Sequence, residues 1–301
     1  THNFDDMDLR AGKSAGAVPG YVAEFTGWVA TQLQMGHRRS IARAAFEAPH
    51  FVRALMTTRE GGVSTEPWSS LNLGLMSGDE PGKVLVNRSL VESAMGVPAV
   101  YLKQVHGVKA VNIEAQTPSG LEGDVAWTTQ SGVACAMMAA DCLPILVCHP
   151  TAKWVAAAHA GWRGLAGANG HGVVETLAHG ATAQGFPVQD CMVWLGPCIG
   201  PTAFEVGQGV LDAFISQQQP ALETMRHEDF FVPHGAGKYL ADLAGLARWR
   251  LTAAGFQVIS GNDSSLAWCT YRQESKYHSH RRDAVRKGGS GRMAAYIWIT
   301  A

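Results

Sequence analysis

A thiol and an imidazole bracket the stretch DCLPILVCHPTAKWVAAAHAG, Cys142 just before its first apolar run and His159 near the end of its second. LPILVCH and KWVAAAHAG are nearly continuous in apolar residues, as strands buried on both faces are, and Pro150, Thr151 and Ala152 separate them. A loop centred between Pro150 and Thr151 sets Cys142 directly opposite His159 in an antiparallel hairpin, with Cβ atoms about 4.5–5.5 Å apart. That separation suits two ligands of one metal ion. A slip of one residue would send the two groups to opposite faces. Taken singly, either residue is more often a packed core group or a hydrogen-bonded strand end; the pairing is what points to a metal.

Two ligands do not complete a site, and the third is sought among the other histidines. His149 belongs to the turn, His171 and His179 sit on a glycine-rich helical stretch, and His278 and His280 lie in YHSHRR beside two arginines that disfavour a bound cation. His106, which ends the strand-like VYLKQVHG, is the best candidate by elimination, although spacing alone does not decide it.

The elements that must position these groups read as an α/β fold. FVRALMTT is strand-like and REGGVS a turn. A helix begins near Asp79, Glu80 and Pro81 and continues through KVLVNRSLVESAM. VYLKQVHG and KAVNIE are short strands, GVACAMMAA and CMVWLGP buried ones, HGVVETLAHGATAQG and LADLAGLARWRLTAAG helices, and MAAYIWIT a terminal strand. The expectation is one mixed-sheet α/β sandwich with flanking helices over residues 46–301. Residues 1–45 read as an N-terminal extension, in part added sequence, with no catalytic role; Thr1 is not an initiator, and Met35 is a plausible native start.

A formal net charge of −1 gives no field that favours nucleic acid or an anionic membrane. No run of about 18 apolar residues predicts a membrane span. Six cysteines without a C-x-x-C pair fit reduced thiols in a cytoplasmic enzyme better than a disulfide scaffold. Neither HExxH nor the H-x-E/P-C-x-x-C deaminase signature is present. Only one H-x-H, His278–His280, occurs among twelve histidines, too few for a multicopper centre.

Further motifs stand in order along the chain: TREGGVS (58–64), LNLG (71–74), Asn87-Arg88, QVHG (104–107), ADCLPILV (140–147), HAGWRG (159–164), GPCIG (196–200), FEVG (204–207) and SHRR…SGR near the end. In that order and approximate spacing they resemble the bacterial purine nucleoside phosphorylase family with a laccase-like domain, long labelled polyphenol oxidases, to which a peptidoglycan-editing factor also belongs. The resemblance covers nearly all of residues 50–301. It implies a mixed α/β sandwich and a zinc ion held by His106, Cys142 and His159. It also implies small-molecule chemistry on purine nucleosides and phosphate: phosphorolysis of adenosine, inosine and guanosine, and deamination of adenosine. Two departures stand out, His280 at a tyrosine-type position and the glycine-rich GLAGANGHG after HAGWR.

Three protein ligands leave zinc a fourth position for water or substrate, as in catalytic sites. Arg163, four residues past His159, is the candidate to orient phosphate or purine, with Arg59, Arg281 and Arg282 as further anion-binding candidates. Gln104 and Asn72 offer amides for a base or ribose edge, although turn or capping roles suit them equally. Asp141 points away from the metal by strand alternation and could orient a ligand or serve a neighbouring strand; Glu205 and Asp242 are weaker candidates. Cys198 has a nucleophile reading second to packing. The rivals are a copper-dependent, laccase-like polyphenol oxidase, an amide hydrolase that edits peptidoglycan precursors, and a zinc-stabilised interaction module. A closed site with four protein ligands would favour the last.

Overall fold

The computed structural model describes residues 21–23, 49–216 and 226–301 of the chain. Apart from Tyr21–Ala23, the extension read over residues 1–45 lies outside the described residues.

The strands are β1 (Tyr21–Ala23), β2 (Val52–Thr57), β3 (Ala99–Tyr101), β4 (Ala110–Asn112), β5 (Val125–Thr128), β6 (Ala134–Ala139), β7 (Leu143–Cys148), β8 (Val155–Ala160), β9 (Met192–Leu195), β10 (Glu205–Gly207), β11 (Phe231–Pro233), β12 (Lys238–Ala241), β13 (Val258–Gly261) and β14 (Met293–Ile299). The helices are α1 (Pro81–Met95), α2 (Trp162–Ala166), α3 (Val173–Ala183), α4 (Gln208–Ser216), α5 (Leu243–Ala253) and α6 (His280–Lys287). Five strands form one sheet in the order β1-β2-β14-β6-β3, and six form a second in the order β13-β9-β7-β8-β5-β4. A small third sheet, β10-β12-β11, lies apart from both. Among the described residues no helix is long and apolar enough to cross a membrane.

Period-two alternation builds the layers. In β14, Met293, Ala295, Ile297 and Ile299 enter the core between the two large sheets, where they meet Leu146, Cys148, Val155, Ala157, Met192 and Trp194. The alternate residues Ala294, Tyr296 and Trp298 pack outward with Leu71, Leu73 and Val91, so α1 covers that face. On the second sheet, Ile145, Val147, Ala156, Ala158 and Val193 point outward to residues of α2, α3, α4 and α5. The result is helix, sheet, sheet, helix: the expected sandwich. The terminal strand sits in the middle of its sheet, antiparallel to both β2 and β6.

Local sequence explains the helix ends. Pro81 opens α1 and Gly96 closes it at φ 73, where a side chain would be strained. The Asp242 side chain caps α5 by accepting from the Gly245 backbone N–H, and the Ser279 side chain caps α6 through Arg282 N–H. In α5 the buried Leu243, Leu246, Ala247, Arg250 and Leu251 follow helical spacing.

Candidate metal centre

Three elements bring three donors together. Cys142 immediately precedes β7, His159 is the second-last residue of β8, and His106 lies in the segment that carries the chain from β3 in one sheet to β4 in the other. Pro144 pairs with His159 and Leu143 with Ala160, so the same register sets Cys142 opposite Gly161 and diagonal to His159. The expected direct opposition of Cys142 and His159 is therefore off by two residues. The connecting loop runs over residues 149–154, and its centre falls between Thr151 and Ala152. A shift of two keeps side-chain parity, and both donors stay on the face that meets the other sheet.

The ligand atoms of His106, Cys142 and His159 all lie within 4.8 Å of one another, with His106 Nε2 3.8 Å from Cys142 Sγ. A tetrahedral ion with a metal–sulfur bond of about 2.3 Å and metal–nitrogen bonds of about 2.0–2.1 Å needs a sulfur–nitrogen separation of about 3.6 Å. The donor set thus fits a metal ion. Gly161 keeps the centre clear, since a Cβ there would lie 2.9 Å from His106 Cδ2 and 3.0 Å from Cys142 Sγ. His106 is exposed, Cys142 half-buried and His159 buried, so the group opens to solvent on one side. Among the described residues these three form the one group of three or more His, Cys, Asp or Glu donors able to hold an ion.

Asp124, which the sequence reading passed over, organises the centre from behind. Its fully buried Oδ2 meets His159 Nδ1 at 2.8 Å, leaving Nε2 as that ring's donor atom toward a metal. The same carboxylate accepts the backbone N–H groups of Val105, His106 and Gly107, each at 3.0 Å. Those bonds hold His106 at φ 63, a left-handed conformation that costs a non-glycine residue about 1–3 kcal/mol. One carboxylate therefore positions two of the three donors. The only local signal in sequence was an acid just ahead of the apolar VAWT, and acids at strand starts are commonplace.

The donors also set one another's charge. Burial pushes the Cys142 thiol up, but the His159 charge and hydrogen bonds from both imidazoles outweigh it and bring the thiol down to about 6. Burial pushes His159 down, but the Cys142 thiolate and Asp124 outweigh it and lift the imidazole to about 9. Burial raises the Asp124 carboxyl, yet His159 and the backbone N–H groups hold it below the ordinary carboxylate range. Without a metal the pair is a thiolate beside an imidazolium, a pocket in which a cation takes the place of a proton.

Asp141 adjoins the cysteine at φ 94. Its carboxylate accepts Thr270 Oγ1 at 2.7 Å and the Arg281 backbone N–H at 2.6 Å, and its carbonyl accepts Ile199 N–H at 2.9 Å. These contacts hold the residue before Cys142 against α6 and the GPCIG segment. Arg163 is exposed, its guanidinium 4.4 Å from the Trp162 ring centroid.

Five other singled-out side chains are engaged by the framework. The Gln104 amide donates to the Met138 carbonyl at 2.7 Å and accepts its N–H at 2.8 Å, pinning the QVHG segment to β6. Buried Arg59 donates to the Ser69 and Glu274 carbonyls. Fully buried Asn72 donates to Ser77 and Asp79 and accepts from Gly74 and Arg292 N–H. Buried Arg282 pairs with Asp283 at 2.8 Å and donates to the Thr270, Tyr271 and Tyr277 carbonyls. The Cys198 thiol is buried and pushed well above its ordinary range, burial first and Asp242 second, which removes the thiolate a nucleophile needs. The polar ends of Gln104, Arg59, Asn72, Arg282 and Cys198 are thus held by partners within the fold. Glu205, on β10, lies 3.6 Å from His234, and Asp242 caps α5. His278 is wholly buried, with neither ring nitrogen hydrogen-bonded.

The family model described as multi-copper polyphenol oxidoreductase laccase matches residues 53–300. A Pseudomonas aeruginosa protein named purine nucleoside phosphorylase PA4543 is 42% identical over 253 residues, covering 84% of this chain and 95% of that one. The Escherichia coli purine nucleoside phosphorylase YfiH is 40% identical, covering 83% and 95%. Among solved structures, Neisseria meningitidis NMB0706 superposes with a TM-score of 0.73 at 41% identity, covering 84% of this chain and 96% of that one. Geobacillus stearothermophilus YlmD gives 0.74 at 31% identity, with 84% and 93% covered. With matches of this length and identity, the chain belongs to the family described as multi-copper polyphenol oxidoreductase laccase.

Proposed function

We propose that this protein is a zinc-dependent purine nucleoside enzyme, cleaving adenosine, inosine and guanosine with phosphate and deaminating adenosine. The observation that carries the reading is the open His106–Cys142–His159 group, with one imidazole locked by a buried carboxylate. The names of relatives at 40–42% identity supply the substrate class. Zinc held by those three residues would supply Lewis acidity at neutral pH. The chain's own residues do the rest. Asp124 holds His159 in the tautomer that presents Nε2, and Asp141 fixes the approach of α6 to the cysteine. Arg163, exposed one residue into α2, orients phosphate or the purine. A cytoplasmic setting, in which the six unpaired cysteines stay reduced, belongs to the same reading.

A copper oxidase is the second reading, since two imidazoles and a thiolate bind copper(II) more tightly than zinc. Among the described residues one three-donor group is present, which supports a single ion.

The test is elemental analysis of protein purified without added metal, followed by nucleoside assays with and without phosphate. Near one zinc per chain and phosphate-dependent release of free base are expected, and Cys142→Ala removes both while the melting profile is retained. Stoichiometric copper with no nucleoside turnover overturns the reading. Turnover of a nucleoside-linked muramoyl-serine in place of adenosine moves the same centre to amide hydrolysis.

A further inference from the structure

A concave site lined by none of His106, Cys142 and His159 lies beside α6. It is a cleft of about 430 Å³ between the segment after β9, the β11–β12 hairpin and α6. Its walls carry Arg272, Arg281 and Arg286, with Tyr271, His234 and Glu205. Arg272 donates to the Thr202 carbonyl at 2.7 Å, and Arg281 donates to the Glu205 carbonyl at 2.9 Å. Both guanidiniums are thereby pinned by neutral oxygens. Among the described residues neither has a carboxylate oxygen within 4.0 Å. Arg286 shares Glu274 at 3.6 Å, Glu205 faces His234 at 3.6 Å, and Arg282 at the cleft floor is neutralised by Asp283. Positive charge therefore exceeds negative around the cleft, in a chain whose net formal charge is −1.

Fixed guanidinium forks without counter-ions match the oxygens of a phosphate group. The volume lies within the range of about 300–1,000 Å³ typical of small-molecule pockets, so the complementary ligand has a body beyond the anion. Tyr271, Leu240 and Val285 supply apolar wall for that body. We infer that this cleft is a binding site for a phosphomonoester of nucleotide or sugar-phosphate size, separate from the three metal donors. The inference does not depend on the nucleoside reading of the metal centre.

The test is calorimetric titration of the full chain with AMP, ribose 5-phosphate, inorganic phosphate and adenosine. AMP or ribose 5-phosphate is expected to bind at least tenfold more tightly than inorganic phosphate, and adenosine is expected not to compete. Arg272→Gln and Arg281→Gln should each weaken binding about tenfold or more, the loss of one charge-assisted contact. Val285→Glu serves as a second variant in case an arginine substitution disturbs the hairpin. Val285 is 84% exposed at the cleft and holds nothing in place, and a carboxylate there should weaken binding with the melting temperature unchanged. Binding that survives all three substitutions, or that is displaced by adenosine or abolished by Cys142→Ala, overturns the inference. So does phosphate alone matching the organic esters, or no binding of any probe at millimolar concentration.

Discussion

Replacing Asp124 by asparagine tests whether one carboxylate organises the metal centre. The amide matches the carboxylate in shape but turns one acceptor into a donor and removes the charge. With the amide nitrogen in the Oδ2 position, His106 N–H and a protonated His159 Nδ1 face a donor; in the Oδ1 position, Val105 and Gly107 N–H do. Either way two N–H groups in a buried setting lose their acceptor, at about 1–3 kcal/mol each, so the metal-free protein should lose about 2–6 kcal/mol of stability. The ring has one escape. Nδ1 can accept from the amide if the proton moves to Nε2, the atom the metal needs. Metal affinity should then fall about 10- to 100-fold, or about 1.4–2.8 kcal/mol. Competition titration of metal-stripped protein with a chromophoric zinc chelator at pH 7.5 measures the affinity, and urea unfolding measures the stability. An affinity within twofold of wild type, in a variant that still folds, would refute the reasoning, because His106 and His159 would then be held by something other than Asp124.

Gly161→Ala probes the space between the donors. The backbone at φ −73 accepts alanine, yet the new methyl would press on His106 and Cys142, so zinc affinity should fall at least tenfold while the melting temperature stays nearly constant; unchanged affinity by the same titration rejects the steric reading. Metal affinity should also follow pH with a defined slope. Between about pH 9 and pH 6 a metal displaces the His159 proton, and affinity falls about tenfold per unit as pH drops; below about 6 the Cys142 thiolate is lost as well, and the slope rises to about hundredfold per unit. A flat profile between pH 6 and 9, read by the same competition assay, excludes a protonated His159. Arg163→Ala should lower phosphate-dependent turnover at least tenfold with zinc content unchanged, and loss of zinc in elemental analysis would make Arg163 structural instead.

Much of the site was legible because side-chain parity in a strand is robust. The loop centre lies one residue later than the apolar runs suggest, yet Cys142 and His159 still share a face, because a two-residue change in register leaves every side chain on its own side. Layers were legible from composition: nearly continuous apolar runs in the segments that became β6 and β7 mark strands buried on both faces. Buried polar side chains were not. Asn72, Arg59, Arg282 and Gln104 look like recognition groups in a sequence, where an amide or guanidinium carries no mark of its partner. In the fold Arg59, Asn72 and Gln104 close on backbone groups far along the chain, such as Glu274 for Arg59, while Arg282 closes on the nearer Thr270, Tyr271 and Tyr277 carbonyls.

The sequence by itself therefore determined which thiol and imidazole of the hairpin share a face, the fold class and the family, since these rest on local spacing, side-chain parity and motif order. Tertiary structure decided the rest. It set His106 beside the hairpin by letting one segment cross from the first sheet to the second, and it put Asp124 behind two donors at once. It also gathered Arg272, Arg281 and Arg286 around one cleft. Contacts of that kind are fixed by which strands pair and which sheets stack, and no spacing along the chain encodes them.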